Sequence, residues 1–411
     1  MAPPPPRDSY FDLWLSFWMS FLAWPVVYVF NNGFGKVDAA HRPFVMMTAG
    51  FGMMAAIGWL CAKLSKTTSR IGVVFMLFIF TCMIDLIIAL EYYGHITGFM
   101  WRYLELGEPY LNSPWGSAIT LFDGIGLYVM YLAIIHRISN RKNWHTIGIY
   151  WVSAIINSMI VLLMGVATGK HSPTFCTFLN VPYVVFPCYV LYYLLKKDCQ
   201  PNWNESAATT PGEEEEKVEK VEKPKKGKKV EKVEKGEEGE KGEEAYLLFG
   251  RKWLAKFFEW GIVIGFICTI LLTITKAFLS LGSTFYMFRW YTAHDPSLMN
   301  NNPAPFAKIQ SVVLFFYSLP IQVLCLLYAC RATRPQYLWD LAVVNAGIFH
   351  QAIFTSIVTA LDSKAPAGYQ ADLTDPYFWI LNMTLLTVPH MFLVLLYERH
   401  RLQAPDKSKQ N

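Results

Sequence analysis

Residues 71–90 read IGVVFMLFIFTCMIDLIIAL, and Asp85 is the only charged residue among them. A helix needs about 20 consecutive apolar residues to cross the hydrocarbon core of a bilayer. The chain as a whole has only 16% charged residues, whereas a soluble globular protein has roughly 25%. The stretch therefore predicts a membrane-spanning helix, and the composition predicts that it is one of many.

Apolar runs of similar length recur along the chain, which predicts an all-α, polytopic membrane helical bundle of about ten transmembrane helices. Loops rich in Lys and Arg alternate with poorer ones, and the positive-inside rule places the richer set in the cytosol. With an even number of spans, both termini are then cytosolic. This distribution of positive charge indicates membrane topology and not a nucleic-acid partner. The predicted spans are 11–30, 44–62, 71–93, 115–135, 147–166, 175–195, 256–278, 308–329, 339–360 and 378–397.

Composition divides the chain into five segments. Within the third, residues 213–244 hold thirteen Glu and ten Lys, and such low hydrophobicity predicts disorder because little apolar surface can be buried. This linker is either a plain solvated connection or a charged tether for a partner. The segments are 1–66 (two N-terminal helices), 67–197 (a first helical domain), 198–246 (the cytosolic Lys/Glu-rich linker), 247–398 (a second helical domain) and 399–411 (a cytosolic tail).

The two helical domains carry the same short signature. Arg102 and Glu108-Pro109 in the first match Arg289 and Asp295-Pro296 in the second at a constant offset of 187. The last helix of each domain also contains a proline, Pro187 or Pro389. The sequence therefore predicts two parallel four-helix repeats, which is one of the symmetries that builds central substrate sites in membrane proteins.

Several polar residues fall inside the predicted spans. A charge at the bilayer centre costs about 2.5–3.5 kcal/mol on insertion scales, so Asp85 and Asp123 call for a cavity or a partner. Asn180 and Asn382 occupy matching places in the last helix of each domain, where they either bond neighbouring helices or line a pocket. Lys276 lies near the end of its span and is predicted to extend towards the interface.

The chain ends in Lys407-Ser408-Lys409-Gln410-Asn411. Lysines in this arrangement form a dilysine signal, which coat proteins of the retrieval machinery read in the cytosol. The tail predicts residence in the endoplasmic reticulum membrane or in the ER–Golgi intermediate compartment. Its predicted cytosolic side agrees with the topology that the loop charges give independently.

Three stretches resemble the transmembrane 6 superfamily: LEYYGHITGFMWRYLELGEPYL (90–111), FDGIGLYVMYLA (122–133) and GIYWVSAIINSMIVLLMG (148–165). The resemblance implies two EXPERA domains, the four-helix module of emopamil-binding protein and the sigma-2 receptor, with a sterol pocket in each. It also implies an endoplasmic reticulum protein that affects neutral-lipid and lipoprotein handling, with lipoprotein-assembly proteins as partners. Sterol isomerases of this type place a His and a Glu where this chain has Asp85 and Ala89, which disfavours catalysis.

The leading hypothesis is a protein that binds sterol or another lipid without catalysis, and that regulates lipid metabolism and loading. An isomerase-like enzyme using Asp85 and Glu91 as acid and base, and a small-solute transporter, are the alternatives. No catalytic residue, cofactor or metal site is predicted, since no Cys pair has metal-binding spacing. The predicted ligand-binding residues are Asp85, Glu91, Asp123, Asn180, Tyr183 and Asn382.

Overall fold

The computed structural model describes residues 10–33, 38, 41–66, 69–169, 173–196, 237–298, 305–329, 331, 335 and 337–403, with side chains from 256 to 399 in the last part of the chain except at 287. Within these residues the structure contains helices and turns but no strand. Ten helices are long and apolar enough to span a membrane. The predicted all-α membrane bundle is confirmed.

The spanning helices are numbered here in chain order. Helix α7 extends back to Glu237 and α10 extends on to Gln403. We call α1–α6 the first half of the molecule and α7–α10 the second half. Their membrane-spanning parts are α1 Phe11–Gly33, α2 Arg42–Leu64, α3 Arg70–Tyr92, α4 Pro114–Ser139, α5 His145–Thr168, α6 Phe175–Leu195, α7 Lys256–Ser280, α8 Phe306–Ala329, α9 Tyr337–Leu361 and α10 Pro376–Arg399.

The backbone of α7 is helical from Glu237, so the last ten residues of the predicted linker 198–246 belong to a helix. The rest of the linker lies outside the described residues. Lys407 and Lys409 lie outside them too, so the retrieval signal stays a prediction.

Serine caps fix the starts of two spanning helices, and π segments interrupt two. Ser69 and Ser113 cap α3 and α4, each accepting the backbone N–H three residues on, which satisfies a donor that the first turn leaves free. Helix α4 widens into a π segment at Asp123–Leu127, and α8 does so at Leu314–Ser318. Such single-turn π segments are rare and frequently occur at functional sites.

Helix α1 packs on the outside of α3 and α4, and polar contacts fix both its ends. At one end, the Asp12 carboxylate accepts hydrogen bonds from the Ser65 hydroxyl at 3.1 Å and from the Ser139 hydroxyl at 3.2 Å. At the other end, the fully buried Asn31 accepts the backbone N–H of Arg102 at 2.9 Å. These contacts tie α1 to the interior of the first half.

The halves meet mainly along α5 and α9, which run parallel. Asn157 donates to Gln351 at 2.5 Å, and the His145 ring lies 3.7 Å from the Asp340 carboxylate. Gly347 permits the approach, because a Cβ there would lie 2.5 Å from the carbonyl oxygen of Tyr150. Small residues at such crossings let membrane helices pack closely. The outer surface instead exposes apolar side chains such as Val29, Val185 and Leu271, each at least 58% exposed, as expected of a lipid-facing surface.

Candidate functional site

A cavity of about 110 Å³ lies inside the first half, and we call it the first-half cavity. Its walls come from α1–α6 and from the loop 93–113. Most of the lining is apolar, including Met53, Ile88, Ile155 and Leu179. Its polar lining comprises Thr81, Asp85, Tyr103, Glu108, Thr120, Asp123, Asn180 and Tyr183. Four of the six residues predicted to bind ligand therefore share one cavity: Asp85, Asp123, Asn180 and Tyr183.

Glu108 is the best-connected carboxylate of the first-half cavity. It is 5% exposed and accepts hydrogen bonds from the Tyr103 hydroxyl and from Asn180 Nδ2, both at 2.6 Å. The Tyr110 hydroxyl donates to it as well. Burial raises the pKa of Glu108 above its usual value, and these three hydrogen bonds oppose that rise. Glu108 was predicted only as part of the repeat signature, and its place in the cavity is a finding of the structure.

Two further carboxyl groups line the same cavity from neighbouring helices. Asp85 projects from the middle of α3, and no hydrogen bond from a described residue reaches it. Asp123 opens the π segment of α4, and its buried Oδ1 has no hydrogen-bond partner among the described residues. Close contact brings these helices together, since a Cβ at Gly124 would lie 2.7 Å from the Cβ of Leu86. The cavity thus offers two carboxyl groups that can bind a ligand hydroxyl or amine.

Glu91, which was also predicted to bind ligand, does not line the first-half cavity. Its carboxylate accepts the backbone N–H groups of Gly98 and Phe99, each at 2.9 Å, and that of Met100 at 2.6 Å. The Glu91 side chain therefore closes the turn that follows α3, where Gly98 takes a positive φ of 88°. Glu91 cannot act as the acid or base partner of Asp85 while it holds these three bonds.

In the second half, the carboxylate that matches Glu108 is Asp295, and it has different partners. Asp295 is 2% exposed, and its Oδ2 lies 3.6 Å from the ammonium nitrogen of Lys276. The Ser297 hydroxyl donates to Oδ1 at 2.5 Å and the Tyr291 hydroxyl to Oδ2 at 3.3 Å. The prediction that Lys276 extends to the interface is wrong, because its side chain turns inward to this buried acid.

Asn382 lies in the second half and does not reach Asp295. Its Nδ2 donates to the carbonyl oxygen of Phe378 in its own helix at 3.0 Å, and its buried Oδ1 has no partner within the described residues. A separate buried chain of hydrogen bonds fills the interior of this half. Gln322 donates to Thr273 and to Ser318, and Ser318 donates to Asn345.

Comparison with known proteins shows which proteins this chain resembles. The family model described as "Transmembrane 6 superfamily member 2-like, transmembrane domain" matches residues 22–204. Transmembrane 6 superfamily member 2 of Mus musculus is 28% identical over 384 residues, which cover 91% of this chain and 89% of the relative. The Homo sapiens protein of the same name is 27% identical over the same shares. These matches support membership of the transmembrane 6 superfamily. No solved structure matches the chain.

The matched family region includes the whole lining of the first-half cavity. Sequence reasoning missed the buried tyrosines Tyr103 and Tyr110 as partners of Glu108. The spacing of Tyr103, Glu108 and Tyr110 in one loop was the available signal. No group of three or more His, Cys, Asp or Glu side chains in the described residues is placed to hold a metal ion.

Proposed function

We propose that this protein binds a sterol or a related lipid in the first-half cavity, and thereby regulates lipid metabolism and neutral-lipid loading in the endoplasmic reticulum membrane. The observation that carries the proposal is an apolar cavity, inside a membrane domain, that Asp85 and Asp123 both line and in which the buried Asp123 Oδ1 has no hydrogen-bond partner among the described residues. An unpaired buried polar group costs about 1–3 kcal/mol. A ligand hydroxyl removes that cost, while its hydrocarbon body contacts the apolar lining.

The proposal also assigns α3–α6 to one EXPERA-like module and α7–α10 to a second, with α1 and α2 as a separate N-terminal segment. The similar order of local elements supports it. Each half has a 3₁₀ turn that follows the signature acid, Pro109–Leu111 or Pro296–Leu298, and then a π segment in the next helix. In this scheme Asn180 and Tyr183 carry the family's pocket role in the first module.

Photo-crosslinking tests the proposal. The full chain is purified in detergent, irradiated with a diazirine sterol probe, and the labelled peptides are identified by mass spectrometry. We expect labels on peptides that line the first-half cavity. Asp85→Leu should abolish labelling per folded molecule, and Asp85→Asn should retain much of it because the amide still bonds a hydroxyl.

Gln322→Leu is the matched control. Gln322 is also a buried polar residue of a spanning helix, but it belongs to the second half and does not line the cavity. The control should lower thermal stability and leave sterol labelling per folded molecule unchanged. If Asp85→Leu behaves in the same way, Asp85 only bonds helices and the sterol proposal fails.

The enzymatic alternative keeps one supporting observation, which is that three carboxyl groups share the cavity. With Glu91 bound to backbone N–H groups, an acid–base pair would have to combine Asp85 with Asp123 or Glu108. Proton removal and return at a sterol double bond needs such a pair. Turnover of a Δ8-sterol that Asp85→Asn eliminates, while sterol labelling persists, would favour the enzyme over the binding protein.

A further inference from the structure

A second cavity, of about 270 Å³, lies between the two halves, and we call it the interhalf pocket. The first half contributes Trp115 and Gly165 to its walls. The second half contributes Phe306, Thr359 and Lys364. The proposed sterol function does not use this space.

The floor of the interhalf pocket is aromatic and contains two unpaired polar atoms. The rings of Trp115 and Phe306 stack at 4.2 Å and 5°. Gly165 makes room for this stack, because a Cβ there would lie 2.0 Å from the Phe306 ring. The buried Trp115 Nε1 and Thr359 Oγ1 have no hydrogen-bond partner in the described parts of the chain. An indole N–H can only donate, so it calls for an acceptor atom.

The mouth of the interhalf pocket carries a positive charge. Lys364 is exposed, and its ammonium donates to the carbonyl oxygen of Tyr92 and lies 4.2 Å from the centre of the Tyr92 ring. The described residues that line the pocket include no Asp or Glu. The nearest acid in sequence, Asp362, is 5% exposed, and its Oδ1 accepts the backbone N–H of Lys364. The pocket therefore offers donors and a cation to an acceptor-rich ligand.

The depth of the interhalf pocket narrows the choice of ligand. Its lining comes from the ends of four spanning helices: α4 and α8 begin beside it at Pro114 and Phe306, and α5 and α9 end beside it at Thr168 and Leu361. Helix ends lie where a membrane-spanning bundle meets the lipid headgroups. At this depth, the oxygen-rich molecules of the bilayer are the phosphate and ester groups of phospholipids.

We infer that the interhalf pocket binds the head region of an anionic glycerophospholipid. Its phosphate binds the Lys364 ammonium at the mouth, and an ester carbonyl oxygen accepts a hydrogen bond from Trp115 Nε1 on the floor. The Thr359 hydroxyl donates to a second oxygen of the same ligand. The acyl chains remain in the bilayer, so this site holds a membrane lipid by its head.

A pair of probes that differ in one group tests this site. The full chain is placed in phosphatidylcholine nanodiscs with photoreactive phosphatidic acid or with the matching photoreactive diacylglycerol, which lacks the phosphate. We expect phosphatidic acid to label peptides containing Trp115 and Thr359. Lys364→Gln should reduce that labelling about tenfold, since a charge-assisted hydrogen bond is lost, and Lys364→Arg should retain it.

The controls separate this site from the sterol cavity and from general effects. Trp115→Phe and Thr359→Val should lower phosphatidic acid labelling, whereas Thr387→Val, on an exposed face of α10, should not. Asp85→Leu should leave it unchanged, so the sterol proposal can fail while this one stands. Equal labelling of Lys364→Gln and the unaltered chain would overturn the inference. Displacement by millimolar inorganic phosphate would mark a free-phosphate site and overturn the lipid assignment.

Discussion

The two halves of this membrane bundle bury one signature carboxylate each and satisfy it in different ways. Glu108 receives hydrogen bonds from neutral donors, the side chains of Tyr103, Tyr110 and Asn180. Asp295 lies 3.6 Å from the ammonium nitrogen of Lys276. At the offset of 187 that relates the two signatures, Lys276 corresponds to Ala89 and Leu272 to Asp85.

This difference gives the two halves different interiors. In the first half, a small residue at 89 and a carboxyl group at 85 leave a polar cavity beside Glu108. In the second half, the lysine provides the charge partner of Asp295, and a leucine replaces the cavity carboxyl group. We interpret the first half as the ligand-binding half and the second as the supporting half.

The largest effect is expected from breaking the ion pair. Lys276→Met leaves Asp295 buried without its cation and should lower the free energy of unfolding by about 3–5 kcal/mol. The double variant Lys276→Met with Asp295→Leu should recover most of that loss, because no isolated charge remains. Titration with sodium dodecyl sulfate in mixed micelles measures both. A single variant as stable as the unaltered chain would show that the pair contributes nothing.

The contact between the halves should be nearly as sensitive. Gly347→Ala forces a methyl group against the backbone of α5 and should cost about 3 kcal/mol of unfolding free energy. Gly261→Ala is the matched control, because a Cβ there meets nothing within 4 Å. The control should gain about 0.5–1 kcal/mol from helix propensity. The same titration compares them, and equal stabilities would contradict the close packing of α5 and α9.

The neutral network of the first half should tolerate change better than the ion pair. Glu108→Ala removes the acceptor of three buried donors and should cost about 2 kcal/mol. Glu108→Gln keeps an acceptor oxygen and should cost about half as much. If Glu108→Gln proves as damaging as Lys276→Met, the carboxylate charge itself stabilises the first half, and the two halves do not differ in how they satisfy their buried acids. Thermal unfolding followed by tryptophan fluorescence provides the measurement.

The smallest expected effect is the difference in stability between variants of Asn180 and Asn382, which occupy matching positions. Asn180→Leu removes a donor to Glu108 and should cost about 1 kcal/mol. Asn382→Leu should change stability by about 0 kcal/mol, because Asn382 bonds only within its own helix and its buried Oδ1 lacks a partner in the described chain. Both variants are unfolded in the same mixed micelles. A larger loss of unfolding free energy for Asn382→Leu than for Asn180→Leu would contradict these roles of the two asparagines.

Apolar run length was enough to predict the bundle, because a bilayer imposes one length on every spanning helix. The joint placement of Asp85, Asp123, Asn180 and Tyr183 was anticipated, since carboxyl and amide groups in spans must face an interior. Glu91 and Lys276 could not be placed in this way. The positions of Glu91 and Lys276 depend on which backbone N–H groups or acids lie near them in the folded chain, and only the folded segments 93–113 and 281–298 show that.

Tyr110 stands between the first-half cavity and the interhalf pocket. Its hydroxyl bonds Glu108 on one side, and its ring lines the interhalf pocket on the other. A headgroup that moves this ring must therefore also disturb Glu108, the acceptor that lines the first-half cavity. Thermodynamic linkage then requires a reciprocal effect, in which each occupant changes the affinity of the other by the same factor. One aromatic side chain would let the composition of the surrounding membrane set how tightly a sterol is held.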